Sequence, residues 1–174
     1  ATLGIIGLGQ IGQAVARRAA GFGMNVLGWN RSERQLPGID NVSLEELLLR
    51  SDFVSVHVAL NEETRDLLNE QRIALMKPGA VLINTARGGI VNEQALAEAL
   101  KSGALYAAGI DVFEQEPVPA DNPLVDLPNV VLAPHIGSAT VITRARMADM
   151  AVDNALAALQ GKPMPHCVNP EVYP

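Results

Sequence analysis

Short apolar runs recur along the chain, spaced so that one helix fits between most of them: Leu3–Ile6, Asn25–Trp29, Phe53–Val58, Val81–Asn84, Ala107–Val112 and Val130–Ala133. They are rich in Val and Ile and apolar at most positions, which predicts strands buried on both faces of a parallel sheet. Helical stretches lie between them. Gln10–Phe22 follows the first run, and Ser43–Arg50 opens with Ser43 and Glu46 at capping-box spacing. Glu70–Met76 is short and closed by Lys77-Pro78-Gly79. Asn92–Ser102 has Asn92 as its N-cap and Gly103 as its stop. Ser138–Gln160 is the longest and ends at Gly161. Strand–helix alternation with short linkers predicts βαβ units and an α/β fold with a doubly wound parallel sheet. The one long irregular segment, Glu114–Asn129, carries four prolines, and loops of that length are often functional.

The 174 residues suffice for one full-sized domain. A net charge of −6 argues against general affinity for nucleic acid or for an anionic membrane. A single cysteine, Cys167, cannot form an internal disulfide and fits a cytosolic chain; it is expected to be inert. No apolar run approaches the ~18–20 residues that span a bilayer. No secretory signal precedes the first strand. Ala1 stands directly before that strand, as in a fragment of a longer protein.

The stretch LGIIGLGQIGQAVARRAAGFG holds Gly7-x-Gly9-x-x-Gly12 between the first strand and the first helix. In that setting Gly7 permits the tight turn, Gly9 lets the backbone approach a pyrophosphate, and Gly12 lets the helix pack closely on the sheet. The helix start offers free N–H groups and a positive dipole end. NAD-binding folds place a carboxylate at the end of the second strand to grip the adenosine ribose. Here that position is Asn30, eighteen residues after Gly12, followed by Arg31 and Ser32, with Arg34 nearby. Losing the acid and gaining an arginine points to the 2′-phosphate of NADP, with NAD as the alternative.

Three later segments follow strands, on the edge where open α/β sheets keep their ligands. INTARGG places Arg87 there, GIDVFEQEP places Asp111, Glu114 and Glu116, and APHIGSAT places His135. Arg, Glu and His are therefore candidates for one crevice, and on chemistry alone Glu114 and Glu116 are equivalent.

With these stretches together, the chain resembles the nucleotide-binding domain of the D-isomer-specific 2-hydroxyacid dehydrogenases. The resemblance is carried by LGIIGLGQIG, DFVSVHVAL, MKPGAVLINTARGGIVNEQALAEAL, AAGIDVFEQEP, NPLVDLPNVVLAPHIGSAT and the tail VNP. Asn-Arg-Ser in place of the usual Asp resembles the NADP-preferring glyoxylate/hydroxypyruvate reductases, including those that reduce 2-ketogluconate. The resemblance implies a Rossmann-type fold over residues 1–160 and a tail, 161–174, that returns to a substrate domain outside this chain. It implies Arg87 as the anchor of a 2-ketoacid substrate and His135 as the general acid. It selects Glu116, which directly precedes Pro117, as the partner that orients the imidazole and raises its pKa.

For the cofactor the resemblance implies Gln10 and Ile11 at the pyrophosphate, with Asn30, Arg31 and Ser32 at the 2′-phosphate end. Thr64 would lie near the phosphates or nicotinamide ribose. Thr85, Ala86 and Asp111 would lie at the nicotinamide, and Gly137 and Ser138 beside the ring. His57 is given no side-chain chemistry, and His166 is expected to be solvated. No metal is expected. A homodimer formed through the long helix and the Pro-rich loop is implied. Other members of the broader group imply two alternatives, an NAD(H)-sensing corepressor-like interaction module and a phosphoglycerate dehydrogenase fragment. With the substrate domain missing, cofactor binding with little or no turnover is expected of the chain alone.

Overall fold

The structure is a computed structural model that describes residues 1–32 and 34–173; Pro174, the last residue of the expected tail, lies outside the described residues. The chain forms two compact units, Ala1–Pro134 and His135–Pro174. The first contains the whole sheet.

Its strands are β1 (Thr2–Ile6), β2 (Asn25–Trp29), β3 (Asp40–Asn41), β4 (Phe53–Val56), β5 (Ala80–Asn84), β6 (Leu105–Ile110) and β7 (Val130–Leu132). All pair in parallel, in the order β3-β2-β1-β4-β5-β6-β7. The helices between them are α1 (Gln10–Gly21), α2 (Leu44–Arg50), α3 (Glu70–Ile73) and α4 (Glu93–Lys101). The doubly wound parallel α/β sheet expected from the apolar runs is therefore present. The chain winds outward from β1 to β3, then returns to lay β4 on the other side of β1. That reversal opens a crevice at the carboxyl ends of β1 and β4, where such sheets bind ligands.

Side chains on β1 alternate between two cores, as a strand's period of two requires. Leu3 and Ile5 join Leu8, Ala16, Ala19 and Val26 under α1. Ile6 joins the larger cluster that holds Leu44, Leu47 and Leu48 of α2 and Leu96 and Leu100 of α4.

Several predicted boundaries shift, each for a local reason. β3 escapes the apolar pattern because it is two polar residues on a sheet edge. β6 begins at Leu105 rather than Ala107, since Leu105 already pairs with Ala80 although Tyr106 points to solvent. β4 stops at Val56, two residues short of the expected Val58. The capping box of α2 is half made: Ser43 accepts from the Glu46 N–H, but the Glu46 carboxylate takes a bond from Arg50 one turn on. Asn92 caps α4 as expected, accepting from Ala95 N at 2.9 Å.

In the second unit the long helix, α5 (Val141–Leu159), starts three residues later than predicted. Thr140 is extended (ψ 149°) and its hydroxyl accepts from Thr143 N, so Thr140 is the cap and Ser138 lies in the turn before it. The tail folds back on this helix: His166 N donates to Asn154 Oδ1 at 2.9 Å, and Met164 N donates to the Tyr173 hydroxyl at 3.0 Å. His166 is exposed, with its backbone N–H held to α5 and its Nε2 3.7 Å from Asp153. Among the described residues no helix is long and apolar enough to cross a membrane.

At the opposite edge of the sheet from the crevice, Asp52 ties three segments together. Its carboxylate, just before β4, accepts from Lys77 Nζ, just before β5, and from Thr2 N, at the start of β1, at 2.7 Å. The Lys77 hydrogen bond, helped by the Thr2 N–H, holds the Asp52 carboxyl below its ordinary pKa. A carboxyl depressed in the folded state stabilises the fold above its unfolded-state pKa of about 4 and loses that contribution as pH falls through the lower, folded value. Because the pair is half-exposed, Asp52→Asn should cost about 1 kcal/mol at pH 7, a Tm loss of about 2–4 °C. In thermal melts run from pH 7 down to pH about 2, that gap should close below pH about 4.

Candidate functional site

The carboxyl end of β1 runs into the glycine turn. Gly7 has a φ of 102°, and a side chain there would also press on the His57 backbone. A Cβ on Gly12 would overlap the carbonyl oxygen of Gly7, so α1 can stand over the turn only with glycine at both places. A Cβ on Gly9 would meet nothing within 4 Å and would project into open space that lines the crevice.

The turn is held by side chains. Leu8 N donates to Asn30 Oδ1 at 3.1 Å, and Leu8 O accepts from Gln13 Nε2 at 2.9 Å and from Arg34 Nη1 at 3.4 Å. Asn30 Nδ2 in turn donates to Ser32 O at 2.9 Å and to Ser32 Oγ at 3.2 Å. Both ends of the Asn30 amide are thus engaged with the protein, while the Ser32 hydroxyl keeps donor capacity. The first intrahelical bond of α1 runs from Gln13 N to Gly9 O, and Gly9 caps the helix without a side chain. The N–H groups of Gln10 and Ile11 therefore precede the helical ladder, at the positive end of the dipole.

Two hollows adjoin along this edge and share His57, Val58 and Ala59. The larger, about 610 Å³, is lined by Gly7, Gly9, Asn30, Arg31, Ser32 and Thr64, among others. The smaller, about 560 Å³, is lined by Ile11, Thr85, Ala86 and Arg87. Arg31 Nη1 lies 2.5 Å from Glu63 Oε2, and this carboxylate raises the Arg31 pKa. The Thr64 hydroxyl donates to Ala59 O at 2.6 Å and accepts from Asn61 N at 2.8 Å, which shapes the loop between β4 and α3. His57 Nε2 lies 2.8 Å from Ser55 Oγ, and burial pushes its pKa down, so it is neutral at pH 7.

Arg87 projects from a loop shaped by a residue that sequence reasoning passed over. Asn84, buried at the end of β5, accepts from Ala86 N at 3.1 Å and donates to Arg87 O at 3.0 Å. Gly88 packs this loop against the Phe113 carbonyl, where a Cβ would overlap it. The loop beyond β6 has its own clamp. Asp111 is buried, and its N–H donates to Asn84 O at 3.0 Å. Glu116 Oε1 accepts from Phe113 N at 3.1 Å. The Glu93 carboxylate accepts from Glu114 N at 2.7 Å and from Asn122 Nδ2 at 2.6 Å, tying the Pro-rich segment to the start of α4. Neither Asn84 nor Glu93 stands out in the sequence as more than a strand end and a helix start. The folded loops reveal what they hold: Asn84 the turn after its own strand, Glu93 the segment beyond β6.

His135, Gly137 and Ser138 belong to the second unit. His135 has a φ of 54°, a left-handed backbone that costs a non-glycine residue about 1–3 kcal/mol. Among the described residues no cluster of His, Cys, Asp or Glu could hold a metal ion.

Together the glycine turn, the uncapped helix start and the crevice at the strand reversal define a Rossmann-type dinucleotide-binding domain. The family model described as D-isomer specific 2-hydroxyacid dehydrogenase, NAD binding domain, matches residues 1–137, and the chain belongs to that family. It is 51% identical to the glyoxylate reductase of Korarchaeum cryptofilum, over 98% of this chain and 53% of that protein. It is 50% identical to glyoxylate/hydroxypyruvate reductase B of Pectobacterium atrosepticum, over 98% of this chain and 55% of that protein. The crystal structure of the TT0316 protein from Thermus thermophilus superposes with a TM-score of 0.91 at 53% identity, covering 96% of this chain and 53% of that one. The chain thus spans about half the length of the relatives it matches.

Two glycine variants separate fold from site. Gly9→Val should melt with the parent protein, since its Cβ meets open space, yet bind dinucleotide about tenfold more weakly or worse. Gly12→Ala should lose about 1–3 kcal/mol of stability, because the Gly7 carbonyl must move. Denaturant melts and fluorescence titrations distinguish the two.

Proposed function

We propose that this chain is the cofactor-binding and catalytic half of an NADP-dependent D-2-hydroxyacid dehydrogenase that reduces a small 2-ketoacid such as glyoxylate or hydroxypyruvate. One observation carries the reading. Two adjoining hollows at the strand reversal share one wall, with Asn30-Arg31-Ser32 in the first and Arg87 in the second. That layout suits a ligand with a phosphate-bearing adenosine at one end and a reacting ring near a substrate anion at the other. The similarity to glyoxylate reductases supports the same substrate class.

The residues fit the cofactor. Gly9 leaves room for a pyrophosphate, the N–H groups of Gln10 and Ile11 face it without a competing side-chain cap, and Arg31 is a cation suited to a 2′-phosphate. Thr64, Thr85, Ala86 and Asp111 would flank the nicotinamide half, with Gly137 and Ser138. When bound, the reduced cofactor supplies hydride to the keto carbon. Arg87 binds the substrate carboxylate and polarises the carbonyl. His135 would donate a proton to the keto oxygen as negative charge builds there, with Glu116 as the acid the family resemblance assigns to it. The strained backbone at His135 supports that assignment, since such strain gathers at functional positions.

The substrate domain would come from sequence outside this chain, with residues 161–174 returning to it. Without it water is poorly excluded and the ketoacid poorly positioned. Two copies would meet through α5, which has no buried residue and exposes Val141, Ile142, Met147, Val152 and Leu156.

The test is a titration with NADPH and NADH, read by nicotinamide fluorescence. NADPH should bind about tenfold more tightly, a difference of about 1.4 kcal/mol. Equal or tighter binding of NADH would overturn the assignment of Arg31 to a 2′-phosphate. With glyoxylate added, the chain alone should oxidise NADPH at under about a hundredth of the rate that enzymes ordinarily reach, ~10 s⁻¹. A rate comparable to that figure would show that the substrate domain is dispensable.

A further inference from the structure

Three arginines, Arg31, Arg34 and Arg72, line the hollow. They are not equivalent. Arg72 is turned to Leu67 O at 3.0 Å and to Glu45 at 3.5 Å, and Glu45 does not line the hollow. Arg34 reaches the Leu8 carbonyl. Arg31 alone of the three pairs with a carboxylate that lines the same hollow, and among the described residues Glu63 is the only acid that does so.

The pair links two loops. Arg31 lies just past β2 and Glu63 lies past β4, and these are the two strands that flank β1. The ion pair therefore passes over the strand end that carries the glycine turn. Glu63 is held there by its own loop. Asn61 Oδ1 accepts from both Glu63 N and Thr64 N at 3.0 Å, and the Thr64 hydroxyl closes the same turn. The two side chains are 75% and 64% exposed, so solvent screens the pair and a stronger anion can displace it.

Resting on the reading that Arg31 receives a 2′-phosphate, we propose that Glu63 is a second specificity-determining residue of the dinucleotide site: its carboxylate competes with that phosphate for Arg31 and so limits the preference for NADPH over NADH. Glu63 holds Nη1, one of the guanidinium donors that a bidentate phosphate monoester would use, and the phosphate brings close to two negative charges beside a third. A ribose bearing only a 2′-hydroxyl meets no such repulsion, and Glu63 can accept its hydrogen bond. The site thus holds one cation that favours the phosphate and one anion that opposes it.

The experiment is a double-mutant cycle on Arg31 and Glu63, with Kd measured for NADPH and NADH in parent, Glu63→Gln, Arg31→Met and the double variant. Both side chains are exposed, and matching melting curves confirm that all four proteins are folded. Glu63→Gln should tighten NADPH about threefold or more, leave NADH within about twofold, and show a smaller gain at 0.5 M salt than at low salt. In the Arg31→Met background the gain should fall below about twofold, since there is no cation left to compete for. An unchanged or weakened NADPH affinity in Glu63→Gln, or an equal gain for both cofactors, overturns the proposal while leaving the role of Arg31 standing. If Arg31→Met itself leaves NADPH binding unchanged, the assignment of Arg31 fails and the proposal fails with it.

Discussion

The crevice depends on how one peptide is held. Leu8 sits in the middle of the glycine turn with its side chain fully buried, and side chains answer both of its backbone polar groups: Asn30 takes the N–H, while Gln13 and Arg34 give to the carbonyl. A turn this tight cannot satisfy itself, because Gly7 is left-handed and Gly12 presses against its carbonyl. A buried unpaired amide would cost more than a typical hydrogen bond returns. Borrowing partners from β2 and α1 locks the turn without placing a side-chain cap on the helix start, and that start is what an anion would use.

The same device recurs along the carboxyl edge of the sheet. Asn84 spans the Arg87 loop from below, accepting at one end and donating at the other. Glu93 grips the Pro-rich segment at two points, just before and after Glu116. Asn61 and Thr64 shape the loop that presents Glu63. Each of these three loops is therefore braced by side-chain hydrogen bonds. Asn84 and Glu93 position without being assigned any chemistry. Loss of one brace would relax a loop rather than delete a reacting group.

The fold was legible in the sequence because its signals are local and repeated. Runs rich in Val and Ile buried on two faces, separated by capped helices, admit few arrangements other than a wound parallel sheet. The glycine spacing located the turn, whereas the left-handed backbone of the histidine in APHIGSAT has no signal in the sequence. β3 is too short and polar to carry a pattern, and α5 starts at Val141 rather than Ser138 because the extended Thr140 caps it. Glu93 and Glu63 were invisible because their partners lie 21 to 29 and 32 residues away, which no single stretch encodes, while Asn84 bonds only two and three residues on and looks like an ordinary strand end.

The missing acid at the end of β2 has more than one cause. An aspartate at position 30 could still accept the Leu8 N–H. It could not donate to the Ser32 carbonyl, and its charge would face that oxygen instead. The loop after β2 as built here therefore uses both ends of an amide, whatever nucleotide it meets. On the proposed assignment Asn30 would contribute to cofactor choice chiefly by what it lacks, a negative charge beside Arg31. Discrimination would then rest on the charges that line the hollow, among them Arg31 and the carboxylate paired with it. In that reading the loop's internal hydrogen bonds and its ligand preference favour one residue type for separate physical reasons.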